Sequence, residues 1–137
     1  MTGSHHKKIL VIEDDKDFSE VLQIRLENMG FKVVVLFDGT EALNVVKTES
    51  PDLILLDIFL PEMDGFTTLK SLKAEKIACA DSERLVSDIP IVVMTGKAPM
   101  MDETVRFEGA CEFLTKPFDV DSLIRRITQI VNEKEAK

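Results

Sequence analysis

Short, nearly continuous apolar runs recur along the chain: KILVI (8–12), KVVVL (32–36), DLILLD (52–57), PIVVM (90–94) and CEFLT (111–115). Runs of this length, rich in Val and Ile and bounded by polar or turn residues, predict strands buried on both faces of a parallel sheet. Between them the apolar positions recur with helical period. Phe18, Val21, Leu22, Ile24, Leu26 and Met29 make one stripe, closed by Gly30 where a C-terminal cap is expected. Ala42, Leu43, Val45 and Val46 make a second, and Phe66, Leu69, Leu72 and Ile77 a third. Val105, Phe107 and Ala110 mark a short fourth helix ended near Gly109. Leu123, Ile124, Ile127, Ile130 and Val131 mark a fifth, opened by Asp119 or Asp121 and fraying into EKEAK. Five strands alternating with five helices imply right-handed crossovers and a doubly wound α/β fold, with its site at the carboxyl ends of the strands.

One connection breaks this economy. AEKIACADSERLVSD, residues 74–88, is polar apart from the pair Leu85 and Val86, and is expected either to extend the third helix or to form an ordered loop away from the crevice. The predicted organisation is one domain over 8–133, preceded by a disordered or tag-like segment (1–7) and followed by a frayed tail (134–137).

Composition narrows the class. With 45% hydrophobic and 31% charged residues, the 137-residue chain reads as one globular core. Its longest apolar runs fall far short of the roughly 18 residues that span a bilayer. No stretch near the start has the length of a signal peptide, so a cytoplasmic location with no membrane partner is expected. Cys79 and Cys111 lack any metal or redox spacing and are read as structural. Seventeen basic against 25 acidic residues, a net charge of −8, argue against direct binding of nucleic acid.

The candidate chemistry starts from Asp57, one carboxylate within LILLDIFL (53–60). A buried carboxylate is costly unless a charge or a hydrogen-bond donor meets it. The fold gathers at the strand ends Glu13, Asp14 and Asp15, then Asp57, Thr95, and Lys116 followed by Pro117. Carboxylates packed together are stable mainly with a divalent cation or an ammonium among them, and an all-oxygen set favours Mg²⁺.

At these residues the sequence resembles the receiver domain of bacterial two-component response regulators, of the single-domain, chemotaxis-regulator-like kind. The resemblance is carried by ILVIEDD (9–15), LLDIFLPEMDG (55–65), VVMTGKA (92–98) and FLTKPF (113–118), and covers Lys8 to about Val131. It implies a flavodoxin-like fold with strand order 2-1-3-4-5. It also implies that Asp57 accepts a phosphoryl group from a sensor histidine kinase or a histidine phosphotransfer protein. Asp14, Asp57 and the backbone carbonyl of Phe59 would hold Mg²⁺, with Glu13 acting through a metal-bound water; Glu13 stands where many members have Asp. Lys116 and Thr95 would contact the phosphoryl oxygens, and movement of Thr95 would let Phe113 turn inward. Pro117 matches the family's cis-proline, and Pro61 and Gly65 the turn after the acceptor strand. The output surface implied is the fourth helix, fifth strand and fifth helix, acting on a downstream protein or domain as a monomer or a phosphorylation-dependent dimer. The chain would be a stand-alone regulator or an excised receiver, a switch with slow self-dephosphorylation rather than an enzyme.

A Mg²⁺-dependent phosphatase with Asp57 as transient nucleophile and a non-phosphorylated pseudo-receiver would use similar residues. VVVLFDGT (33–40) ends like the nucleophile motif of haloacid-dehalogenase-type phosphatases, but Leu36 stands where that motif needs a second Asp. Asp38 to Ala42 therefore reads as the turn and cap of the second helix. Phe59 and Lys97 stand where many receivers carry polar or acidic groups, which predicts a slowly hydrolysing phospho-form.

Overall fold

The Val- and Ile-rich runs pair as a five-stranded parallel sheet in the order β2-β1-β3-β4-β5. Its strands are β1 (Lys8–Ile12), β2 (Lys32–Leu36), β3 (Leu53–Asp57), β4 (Ile91–Thr95) and β5 (Glu112–Thr115). This is the flavodoxin-like doubly wound order expected from the sequence. The computed structural model describes residues 7–57, 65–79, 84–95, 112–115 and 119–136, with the side chains of Phe66, Thr95, 112–115 and 133–136 outside the described set. The predicted fourth helix lies outside the described residues.

Alternation along each strand sorts the core into two layers. Leu10, Ile12, Ile54, Leu56, Ile91 and Val93 pack with α2 (Ala42–Glu49) and α3 (Gly65–Ala74) through Val46, Leu69 and Leu72. Ile9, Val11, Leu53, Leu55, Val92 and Met94 pack on the other face with α1 (Lys16–Asn28) and α4 (Val120–Ala136), through Leu22, Leu26, Leu123 and Ile127. Burial on both faces explains why these strands are almost wholly apolar. Among the described residues, no helix is long and apolar enough to cross a membrane.

Helix ends follow local chemistry. Gly30 has φ +99°, its N–H donates to Glu27 O (3.0 Å), and Phe31 N–H donates to Leu26 O (3.1 Å), which closes α1 in a Schellman turn. Asp119 opens α4 through bonds from Asp121 N–H and Ser122 Oγ. α4 continues to Ala136, into the segment expected to fray.

Two helical stripes are narrower than the periodicity suggests. On α1 only Ser19, Leu22 and Leu26 are buried, while Val21, Ile24 and the C-cap Met29 are exposed, because the core covers a single i, i+3, i+7 row. α3 ends at Ala74, and Ile77, expected on its apolar face, is exposed on the segment that follows.

The described parts of that connection, 75–79 and 84–88, do not extend the helix but pair with each other. Ala78 and Leu85 form an antiparallel bridge, Cys79 N–H donates to Arg84 O (2.8 Å), and Val86 N–H donates to Ile77 O (3.0 Å). Cys79 and Val86 are buried in the α2/α3 layer, which agrees with a structural role for Cys79; Cys111 lies outside the described residues.

Candidate functional site

The strand order reverses between β1 and β3, so a crevice opens beyond their carboxyl ends. Ile12 pairs with Leu56, which brings Glu13 abreast of Asp57. Glu13 N–H donates to Leu36 O (2.9 Å), so the β1–β2 ladder runs one step past the strand before the chain turns into α1. Asp15 makes that turn. Its backbone is extended (φ −77°, ψ 106°), its Oδ1 accepts Phe18 N–H (3.0 Å), and its own N–H donates to Glu13 Oε2 (3.1 Å). Asp15 is thus the N-cap that opens α1.

Three of the predicted site residues are brought together. One carboxylate oxygen each from Glu13, Asp14 and Asp57 lies within 4.8 Å of the others. Glu13 and Asp57 are buried, with relative exposures of 1% and 6%, whereas Asp14 is exposed on the bend between β1 and α1. Two buried anions side by side, with a third at their rim, repel strongly unless a cation stands among them. All donors are oxygen and one faces solvent, so the set suits a hard divalent cation that keeps water or phosphate oxygens in its remaining positions. The residues present therefore fit Mg²⁺.

The rest of the predicted constellation is positioned by backbone register. Asp57 pairs with Met94, so Thr95 ends β4 one residue beyond that pair, and Thr95 in turn pairs with Thr115. Lys116 directly follows Thr115 in the chain, and Phe113 pairs with Val93. The side chains of Thr95 and Phe113, and all of Phe59, Pro61, Lys97, Lys116 and Pro117, lie outside the described residues.

The decoy turn behaves as local structure. Asp38 Oδ1 accepts both the backbone N–H and the hydroxyl of Thr40 (2.8 and 2.6 Å), and these two bonds hold its carboxyl below the usual range. The N-cap of α2 is Glu41, without a side-chain capping bond, so Asp38 shapes the turn and does not cap the helix.

Sequence reasoning missed the anchoring at the amino-terminal ends of β1 and β3, opposite the cluster. Arg84 donates to Pro51 O (2.6 Å) and Asp52 Oδ1 (2.9 Å), while Asp52 Oδ2 accepts Lys8 N–H (2.8 Å). Lys73 Nζ donates to the carbonyls of Ser87 and Ile89 (2.9 and 3.0 Å). The lone Arg inside an otherwise featureless polar connection was the available signal. Polar pairs between residues so distant in sequence leave no period to read.

Residues 9–128 match the family described as the response regulator receiver domain. The chain is 36% identical over 131 residues, 95% of its length, to the alkaline phosphatase synthesis transcriptional regulatory protein PhoP of Bacillus subtilis. It is 37% identical over 122 residues, 88% of its length, to the DNA-binding response regulator MtrA of Mycobacterium tuberculosis. The match covers 50% of the first and 49% of the second, so the chain spans about half the length of these relatives. Among solved structures, the receiver domain of the Francisella response regulator 1452 superposes with a TM-score of 0.82 at 28% identity, over 94% of this chain and 99% of that one. The receiver domain of the Pseudomonas aeruginosa sensor histidine kinase PA1611, solved with a magnesium ion coordinated in its active-site cleft, superposes with a TM-score of 0.78 at 25% identity, over 93% and 99%. The sheet order, the acidic cluster at its switch point and these likenesses agree: the chain belongs to the response regulator receiver domains.

Proposed function

We propose that the chain is a phosphorylation-controlled switch in which Asp57 accepts a phosphoryl group from a phosphohistidine of a sensor kinase or phosphotransfer protein. The observation that carries this reading is the clustering of the Glu13, Asp14 and Asp57 carboxylates within 4.8 Å at the end of β3. A carboxylate oxygen of Asp57 attacks phosphorus; the new O–P bond forms as the P–N bond to the donor imidazole breaks, and the electron pair leaves with that nitrogen. Packing of Leu53 to Leu56 within the sheet holds the nucleophile still, so positioning supplies much of the rate.

Asp14, Asp57 and the backbone carbonyl of Phe59 would hold Mg²⁺, with Glu13 reaching it through water. When bound, Mg²⁺ neutralises charge on the transferring phosphoryl oxygens. Lys116 contributes an ammonium to one phosphoryl oxygen and Thr95 a hydroxyl to another, and Phe113 follows the hydroxyl inward. The resulting change spreads over the 105–110 segment, β5 and α4, and acts on a downstream protein or domain, with the receiver a monomer or a phosphorylation-dependent dimer. The excess of acid, 25 against 17 basic residues, supports an output that is not carried by direct contact of this domain with nucleic acid. The setting is cytoplasmic, and turnover is limited to slow self-dephosphorylation.

Incubation with acetyl phosphate and Mg²⁺ tests the proposal. An acid-stable, hydroxylamine-labile adduct that forms once per chain supports the switch. Multiple turnover on unrelated phosphoesters would support a phosphatase, and no Mg²⁺-dependent modification with any donor a pseudo-receiver.

A further inference from the structure

The bend between β1 and α1 links helix capping to the acidic cluster. Asp15 Oδ1 accepts Phe18 N–H (3.0 Å), Asp15 O accepts Ser19 N–H (2.9 Å), and Asp15 N–H points back to Glu13 Oε2 (3.1 Å). The two side-chain bonds share one residue, so the torsions that let Asp15 cap α1 also aim its N–H at the buried carboxylate. Glu13, with three side-chain torsions, needs such a partner to present its other oxygen in one direction.

We propose that Asp15 is a positioning residue for the metal site: its cap on α1 fixes the backbone donor that orients Glu13. This rests on the reading of the acidic cluster as a Mg²⁺ site. Asp15 is exposed and is not itself within the carboxylate cluster, so its contribution runs through the backbone of the bend. Loss of the side-chain acceptor releases the bend, lets the N–H swing away from Glu13, and weakens the site without removing any ligand. The carboxylate charge of Asp15 is not required, because Asn and Ser cap equally through an uncharged oxygen.

The test is a Mg²⁺ titration followed by amide shifts in ¹H–¹⁵N spectra of the whole chain, since the sequence has no Trp or Tyr to report binding by fluorescence. Wild type, Asp15→Ala, Asp15→Asn and Asp15→Ser are compared well below their melting temperatures. Asp15→Ala is expected to bind Mg²⁺ about tenfold more weakly, the low end of what groups acting from outside the ligand shell, as Glu13 does through water, are worth, with the Asn and Ser variants close to wild type. Asp15→Gly, which lacks the acceptor yet is a tolerated N-cap residue, repeats the contrast should the alanine variant not fold. Unchanged affinity in Asp15→Ala with a lowered melting temperature would show a cap of purely structural effect and overturn the proposal. Equal weakening in all variants would assign the effect to charge and overturn it as well. Absence of Mg²⁺-dependent shifts in the wild type would instead refute the metal-site reading on which it rests.

Discussion

Removing Arg84 should loosen the chain at the amino-terminal ends of β1 and β3, opposite the acidic cluster. Its guanidinium donates to Pro51 O and to Asp52 Oδ1, and thereby ties residues 84–88, bridged to Ala78 through Leu85, to the turn that starts β3. A hydrogen bond to a charged group is worth about 1.5–3 kcal/mol in a protein interior. Here the side chains are 33% and 19% exposed, so solvent screening lowers the pair toward the surface range. Arg84→Ala is therefore expected to cost about 1–2 kcal/mol. Asp52→Ala should cost more, about 2–3 kcal/mol, because Asp52 Oδ2 also satisfies Lys8 N–H at the start of β1. The double variant should show a coupling of about 1 kcal/mol between the two residues. Urea unfolding followed by far-ultraviolet circular dichroism measures all four proteins, and the Mg²⁺-dependent modification of Asp57 should keep its wild-type rate in Arg84→Ala. A loss below about 0.3 kcal/mol, or additive single and double losses, would refute the anchoring role.

Other expectations follow from single contacts. Gly30→Ala should destabilise the chain by about 1 kcal/mol in the same assay, wholly through backbone strain at φ +99°, because an added Cβ meets no atom within 4 Å. Leu55→Ala, truncating a fully buried side chain between β1 and β4, should cost about 2–5 kcal/mol. The Asp38 carboxyl, lowered by its bonds from Thr40, should titrate below its usual value of 3.8 in an NMR pH series. Its contribution to stability is then present above that value and is lost as pH falls through the lowered pKa, and Thr40→Val should move the titration back up. Phe59→Asn should speed hydrolysis of the phospho-form by offering a polar group near the attacking water; an unchanged decay rate would dismiss Phe59 as its shield.

The central strands β1, β3 and β4 were legible because burial on both faces makes their runs almost continuously apolar, while β2, only partly buried at the sheet's edge, carries the same Val-rich pattern. The cluster was legible for a related reason. Asp57 interrupts β3 at its last residue, Glu13 and Asp14 follow β1, and a parallel sheet brings such ends together whatever lies between them. Helical stripes were less reliable: Val21, Ile24 and Ile77 follow an apolar period but face solvent, since period alone does not say how wide a strip the sheet covers. The pairing of residues 75–79 with 84–88 was visible only as an exception. It is decided by Arg84 reaching Pro51 and Asp52, and by Cys79 and Val86 entering the core, which are pairings of residues far apart in the chain. The hold of Asp15 on Glu13 was hidden because the bond is made by a backbone N–H, which every residue but proline carries.

The central claim is that Asp57 is the phosphoacceptor of a Mg²⁺-dependent site. Its most direct measurement is peptide mapping by mass spectrometry after acetyl phosphate treatment and borohydride trapping, with and without a chelator. The reduced, trapped residue should map to Asp57 alone, disappear with the chelator, and be absent from Asp57→Asn. Trapping at another residue, or undiminished trapping at Asp57 when Mg²⁺ is removed, would contradict it.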